Sequence, residues 1–490
     1  MEAKINNIYP RRQFIHDISF ASLSLLSASF LLGGCEDFFN KINNRPVRRM
    51  LRNNADANHM VDLYRTAVTE MKGLGTSDKR NWTNQASIHN DHCPHGNWFF
   101  FPWHRAYLFE FEKICRKLCK DDSFALPYWN WCVNGHLPAG FWLPPAGNSL
   151  YDSTRAITAA SVADPSSVGL AVVSPMCNET NFTLFAGGAT SGLRTGGGSY
   201  GSIEATPHNY IHGGFVRGDM GNFMSPLDAI FWNHHCMVDL CWYEWNITRK
   251  HADTSDTNWM NFSFSGLFCD ENGNTVTDMT VLATLLMPLL SYRYETGIDG
   301  IAPSTMKFHK SKTEFKKAEE IIRKGAPTEL RVKQEFPLSR KLYINGVQPQ
   351  ALQIDTADFA RTFTSASPER AILKIKNLSH PPSNSFFLRV FVNMPEATAN
   401  TPVDDPHYAG SFYFFVHEGM NHGNNFPDVY VDLTQTLKRL TSMNGAQSVQ
   451  GIGITLVPVT IDRASTPNVI ITAEDLSILV SAVNVPLMDI

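Results

Sequence analysis

Two clusters of histidine stand just over a hundred residues apart: His89, His92, His95 and His104 in IHNDHCPHGNWFFFPWHR, then His208, His212, His234 and His235 in PHNYIHGGF through FWNHH. Eight of the chain's 17 histidines fall in these two windows, both rich in Trp and Phe. Each cluster can supply three neutral imidazoles, which suit copper, zinc, iron or nickel rather than magnesium or calcium. Three nitrogens leave coordination positions open on a metal, and open positions are what it needs to bind a small molecule and do chemistry. A lone histidine reads as a core or surface residue. Two dense sets, in surroundings that would make a dry cavity, point to one two-metal site.

The elements that position them follow from spacing. His208 and His212 are four residues apart, so a helix places them on one face. Their third ligand comes from a second helix, DAIFWNHHCMVDLCWYEW, with Ile230, Phe231, Val238 and Trp242 roughly on a helical period and His235 or His234 pointing inward. His104 opens the amphipathic run HRAYLFEFEKICRKL. His95 sits between Pro94 and Gly96, which forbid regular helix, so a loop and a helix share that metal. Zinc is compatible with the ligand type, but H-x3-H lacks the HExxH glutamate of the common zinc proteases. Asp228 and Asp239 read as groups that brace ligands or anchor helices.

Over residues 50 to 300 the chain resembles the type-3 dicopper family of tyrosinases, catechol oxidases and molluscan haemocyanins. HGNWFFFPWHRAYLFEFE is similar to the first copper motif, HNYIH with DMGNF and D-x6-H to the second, and FALPYWNW to the stretch between; DMGNF and FALPYWNW lean toward plant polyphenol oxidases. The resemblance implies two copper ions, the first on His89, His95 and His104 and the second on His208, His212 and His235, with His92 the alternative to His89. It implies a thioether from Cys93 to His95, a gate ring at Phe223 near the second copper, and a Glu204–Asn209 pair holding a water that deprotonates a monophenol. The implied activity is oxidation of phenols and o-diphenols to o-quinones by dioxygen. A haemocyanin-like oxygen carrier and a copper-free surface binding protein are the alternatives.

With 490 residues, 43% of them hydrophobic, and a net charge of only -4, the chain should hold two or three globular domains and has no electrostatic case for nucleic acid. YPRRQFI followed by ISFASLSLLSASFLLGG and Cys35 resembles a twin-arginine lipoprotein leader, which implies export and lipid attachment to a membrane through Cys35. Setting aside Cys35 and Cys93, seven of nine cysteines remain, an odd number that leaves at least one unpaired. SYRYET resembles the segment that closes the family's catalytic domain. Beyond it KLYINGV, RAILKIKNL, FFLRVFVNM, GSFYFFVHE, VYVDL, GIGITLVPV and NVIITA read as about seven strands. The expected layout is a leader over 1–35, a tether over 36–45, and a mainly α catalytic domain over 46–300 with a four-helix bundle around the metals. A linker over 301–335 and an all-β sandwich or barrel over 336–490, placed as an active-site lid, complete it.

Overall fold

The computed structural model describes residues 44–142, 146–302, 325, 330–338, 341–354, 359, 368–381, 386–415, 425–444, 452–461 and 470–482. The leader with Cys35, and most of the expected linker, lie outside the described residues.

Four helices carry the first half. α1 (Ala55–Gly73) starts where the Asn54 side chain accepts from the Ala57 amide, and it buries Ala57, Met60, Val61, Tyr64, Ala67, Val68 and Met71. That three-and-four spacing makes one apolar stripe. α2 (Trp82–His92) is capped in the same way by Asn81 and turns Trp82, Gln85, Ala86 and His89 inward. α3 (Phe100–Cys119) stops at Lys120, whose φ of 58° is left-handed. α4 (Ile230–Tyr243) is buried on every side as far as Trp242, as a central helix must be. Asp228 fixes its start, accepting from the Ile230 amide at 3.1 Å while both carboxylate oxygens grip Arg155 at 2.5 and 2.8 Å. All four helices meet in one aromatic cluster. Phe111 of α3 stacks on Trp232 of α4 with ring centroids 3.3 Å apart, while Trp82 of α2 and Tyr64 of α1 lie 6.1 and 6.5 Å from Phe111. Each such contact adds about 0.5–1.5 kcal/mol beyond area burial.

The segment bearing His208 and His212 departs from the expected regular helix. It winds wide, with i→i+5 closure, over Glu204–His208 and Tyr210–Val216. Pro207 inside it has no amide to donate, so a tighter helix would lose a bond there; wide turns of this kind concentrate at functional sites. The two rings still stand 4.5 Å apart.

The start and end of the helical half are knit together. β1 (Val47–Arg48) runs parallel to β2 (Arg293–Tyr294), which follows α5 (Val281–Leu290). Beneath them Arg48 meets Glu112 at 2.9 Å and Asp239 at 3.1 Å, Arg105 meets Asp239 at 2.5 Å, and the Tyr292 and Tyr294 hydroxyls donate to Asp239 at 2.6 Å. Asp239 thus anchors α4, and these opposite charges and donors hold its carboxyl below its ordinary range although burial alone would raise it. Arg45, expected in the tether, is buried and donates to the Pro288 carbonyl at 2.6 Å, so packed structure begins ahead of residue 46.

The second half is a sandwich. β3 (Val332–Pro337), β4 (Tyr343–Asn345), β5 (Gln350–Gln353), β6 (Arg370–Lys376), β7 (Phe386–Val392), β8 (Tyr408–Tyr413), β9 (Val429–Asp432), β10 (Gly453–Thr460), β11 (Ile470–Thr472) and β12 (Asp475–Ser481) form two four-stranded antiparallel sheets, β5-β10-β7-β8 and β3-β12-β6-β9, plus the pair β11-β4. One core that includes Leu373, Ile375, Leu388, Val390, Leu456 and Ile478 joins them. All seven expected runs are strands. β3, β5, β12 and helix α6 (Thr434–Asn444) are additions, and β3 starts inside the expected linker because only Phe336 of its six residues is buried, which leaves the segment polar in sequence.

Candidate dinuclear metal centre

The two sets of imidazoles form two facing triangles. His89, His95 and His104 have ring centroids 5.5 to 5.7 Å apart. His208, His212 and His235 have theirs 4.5 to 5.3 Å apart. Across the gap His104 stacks on His235 at 4.4 Å, and His95 lies 5.5 Å from His208. Candidate ligand atoms lie within 4.8 Å of one another inside each set, and the second set also includes His234. His92, half-buried at the end of α2, falls in neither.

Each ring is aimed. Nδ1 of His89 donates to the Phe223 carbonyl at 2.7 Å, that of His104 to Phe100 at 2.8 Å, and that of His212 to Met220 at 2.7 Å. His208 uses the Asn209 amide oxygen at 2.8 Å, and His95 uses Glu204 Oε1 at 3.0 Å. Fixing Nδ1 in this way turns Nε2 inward and sets the tautomer, as outer partners do for metal-bound imidazoles. The Nε2 atoms of His89, His95, His104 and His208 are buried without a protein partner. An unmet buried polar atom costs about 1–3 kcal/mol, so four in one cavity call for a cation. The His212 and His235 Nε2 atoms approach to 3.2 Å, close to the roughly 3.3 Å separating two nitrogens on one tetrahedral ion. Burial, reinforced by the neighbouring rings, holds these imidazoles neutral: His104 is pushed down to about 3, His212 to about 4, and the other four ligand candidates lie well below the usual range. Neutral rings are what ligation requires.

Glu204 and Asn209 also serve as outer partners of the histidines. Glu204 Oε1 accepts from both His95 Nδ1 and the Gly96 amide at 2.8 Å, while its Oε2 is buried with no partner. Burial drives its carboxyl well above its ordinary range, partly opposed by the Gly96 amide, which makes it the stronger base, and burial moves His95 the opposite way, so a neutral imidazole donates to the carboxyl and the contact is not an ion pair. Asn209 spends its oxygen on His208 and its amide hydrogen on the Tyr413 carbonyl at 2.9 Å. Cys93 caps α2 as a buried thiol, and none of the described cysteines forms a disulfide.

The gate position needs correcting. Phe223 does not crowd the second cluster: its ring lies 5.2 Å from His95 and 5.9 Å from His89, because its own carbonyl is tied to His89. Beside Phe100 and Phe231 of the helical half, the ring that the sandwich brings to the second cluster among the described residues is Phe415, just beyond β8. It stands 4.6 Å from His212, 6.0 Å from His208, 5.1 Å from His95 and 5.2 Å from Phe223. The Thr206 hydroxyl bonds the Ser411 carbonyl at 2.8 Å, Ser167 bonds the Tyr413 hydroxyl at 2.7 Å, and Arg370 grips Glu179 at 2.7 and 2.6 Å, seating the sandwich on the site. Sequence reading passed over Phe415. The signal was there in strand alternation, since Phe412 and Phe414 enter the sandwich core while Tyr413 and Phe415 join the core of the helical half.

Two triangles of inward-turned imidazoles on a four-helix bundle, with positions left open, define a dinuclear metalloprotein of the catalytic kind. The common central domain of tyrosinase matches residues 79–169 and 148–248, and the C-terminal domain of chloroplastic polyphenol oxidase matches residues 348–473. Polyphenol oxidase B, chloroplastic, of Solanum lycopersicum is 29% identical over 447 residues, covering 81% of this chain and 71% of its own. Catechol oxidase B, chloroplastic, of Solanum tuberosum is 29% identical over 443 residues with the same coverage. The solved structure of a recombinantly expressed latent aurone synthase (polyphenol oxidase) superposes with a TM-score of 0.68 at 23% identity, covering 90% of each chain, and shares the fold. The chain belongs to the type-3 dicopper family of tyrosinases, catechol oxidases and polyphenol oxidases.

Proposed function

We propose that this protein oxidises o-diphenols to o-quinones with dioxygen at two copper ions, one on His89, His95 and His104 and the other on His208, His212 and His235. The observation that carries this reading is the set of buried, unpartnered Nε2 atoms, each aimed by an anchored Nδ1. Bound copper supplies the dioxygen redox chemistry; two diphenols give four electrons and four protons to one dioxygen, leaving two quinones and two waters. The chain holds the imidazoles neutral and fixed, and its wall of Phe100, Phe223, Phe231 and Phe415 excludes water. For a monophenol, the buried Glu204 Oε2 receives the phenolic proton through a water held beside Asn209, while Oε1 keeps His95 oriented. Cys93 joins His95 by a thioether, and residues 336–490 act as a lid over the catalytic part, 46–300, with 301–335 as the link. Residues 1–35 export the chain, 36–44 tether it ahead of the packed Arg45, and Cys35 carries its lipid; support for this lies in the twin arginine and the LLGGC sequence. The oxygen carrier and the copper-free binding protein are not favoured, since the relatives bear the names of oxidases and the imidazole set is complete.

The test is copper content together with catechol turnover. The intact chain is expected to hold two coppers, and His104→Ala or His208→Ala to lose one and all diphenol oxidation. Either variant retaining both coppers and full turnover would sink the assignment. His92→Ala is expected to keep both ions, and the peptide bearing Cys93 and His95 should weigh two hydrogens less than its sequence mass.

A further inference from the structure

Trp131 and His234 share a hydrogen bond that none of these roles requires. Trp131, the last residue of FALPYWNW, is buried, and its Nε1–H donates to His234 Nδ1 at 3.2 Å. An indole nitrogen can only donate, so Nδ1 must accept and its lone pair is spent. A doubly protonated imidazole has no acceptor to offer, so the ring is neutral and carries its proton on Nε2. That Nε2 is buried with no partner.

By distance His234 qualifies as a metal ligand as well as His235 does. One of its ring nitrogens lies within 4.8 Å of those of His208, His212 and His235, and its ring stacks on His208 at 5.4 Å. By protonation it does not qualify. Whichever nitrogen it turns to the ion is taken, Nδ1 by the indole and Nε2 by a proton. His235 is under no such constraint: its Nε2 meets His212 Nε2 at 3.2 Å, and its Nδ1 is unpartnered.

We propose that Trp131 is a positioning residue that locks His234 in a non-ligating tautomer, so that of two adjacent histidines only His235 binds the second metal and that metal keeps a coordination position open. What the lock protects rests on the dicopper reading; the lock itself does not. In the metal-free full-length chain, side-chain nitrogen NMR is expected to find His234 protonated at Nε2, and Trp131→Phe is expected to release it into a mixture of tautomers. In the copper-loaded chain, His235→Ala is expected to fall from two ions to one, and Trp131→Phe added to it to restore the second, because a freed His234 can then ligate. A wild-type Nδ1–H tautomer, a His235→Ala variant that keeps two ions, or a double variant no better than His235→Ala would overturn the proposal. A wild-type chain that binds no copper would end the dicopper reading, while the NMR result would still decide the lock.

Discussion

Glu204 makes separable use of its two carboxyl oxygens. Oε1 orients His95 and accepts the Gly96 amide, whereas Oε2 has no partner, so orientation and proton acceptance reside on different atoms. A glutamine keeps an acceptor for His95 and Gly96 but cannot take a proton. Glu204→Gln is therefore expected to keep two coppers and most diphenol turnover while losing about a hundredfold in monophenol hydroxylation, the scale of one general base. Equal losses on both substrates would make Glu204 purely structural, and a parent without monophenol turnover would place the chain among the catechol oxidases. The histidines were legible because chelation leaves a mark in spacing: His208 and His212 stand four positions apart, and His104 heads an amphipathic run inside α3. Trp131 was not, because nothing local says that an indole more than a hundred residues from His234 will donate to it.

At the scale of elements, the strand leading to Phe415 does more than cover. Its carbonyls at Ser411 and Tyr413 accept from Thr206 and Asn209, and the ring beyond it fills the space beside His212 and His208. Burying such a ring contributes about 1.5–3 kcal/mol to docking. Phe415→Ala should leave the backbone seating intact and clear the entrance. Its kcat/KM for a small catechol is expected to rise about tenfold or more, read against a chain cleaved between residues 301 and 335. A variant no faster than the parent would show that the ring does not obstruct. Seven strands were readable because alternating Val, Ile and Phe between turn residues is a local pattern. β3 was not, since five of its six residues are exposed and it is a strand only by pairing with β12. The wide winding at Glu204–Val216 was equally hidden, for Pro207 tells that a regular helix is disturbed without telling how.

For the whole molecule, sequence and structure cover different stretches. The bundle, its metal cluster and the sandwich were legible because each has its own periodicity, while their mutual seating depends on contacts such as Glu179 with Arg370 that no local pattern encodes. No helix among the described residues is long and apolar enough to cross a membrane, and the proposed lipid at Cys35 has its own test. Palmitate fed to cells expressing the chain is expected to label it, and Cys35→Ser to abolish both label and membrane recovery; a labelled Cys35→Ser chain would refute lipidation there. The bond between Asn209 and Tyr413 carries one more consequence. The amide that steadies His208 is the same amide that holds the sandwich down, which makes docking and site occupancy two sides of one thermodynamic cycle. Whatever factor the docked sandwich takes from the affinity for a phenol, a bound phenol must take from the docking, because coupling between two equilibria is reciprocal. A docked sandwich that obstructs the site would therefore be loosened by the very phenol it excludes, so that abundance of the substrate would open its own way in.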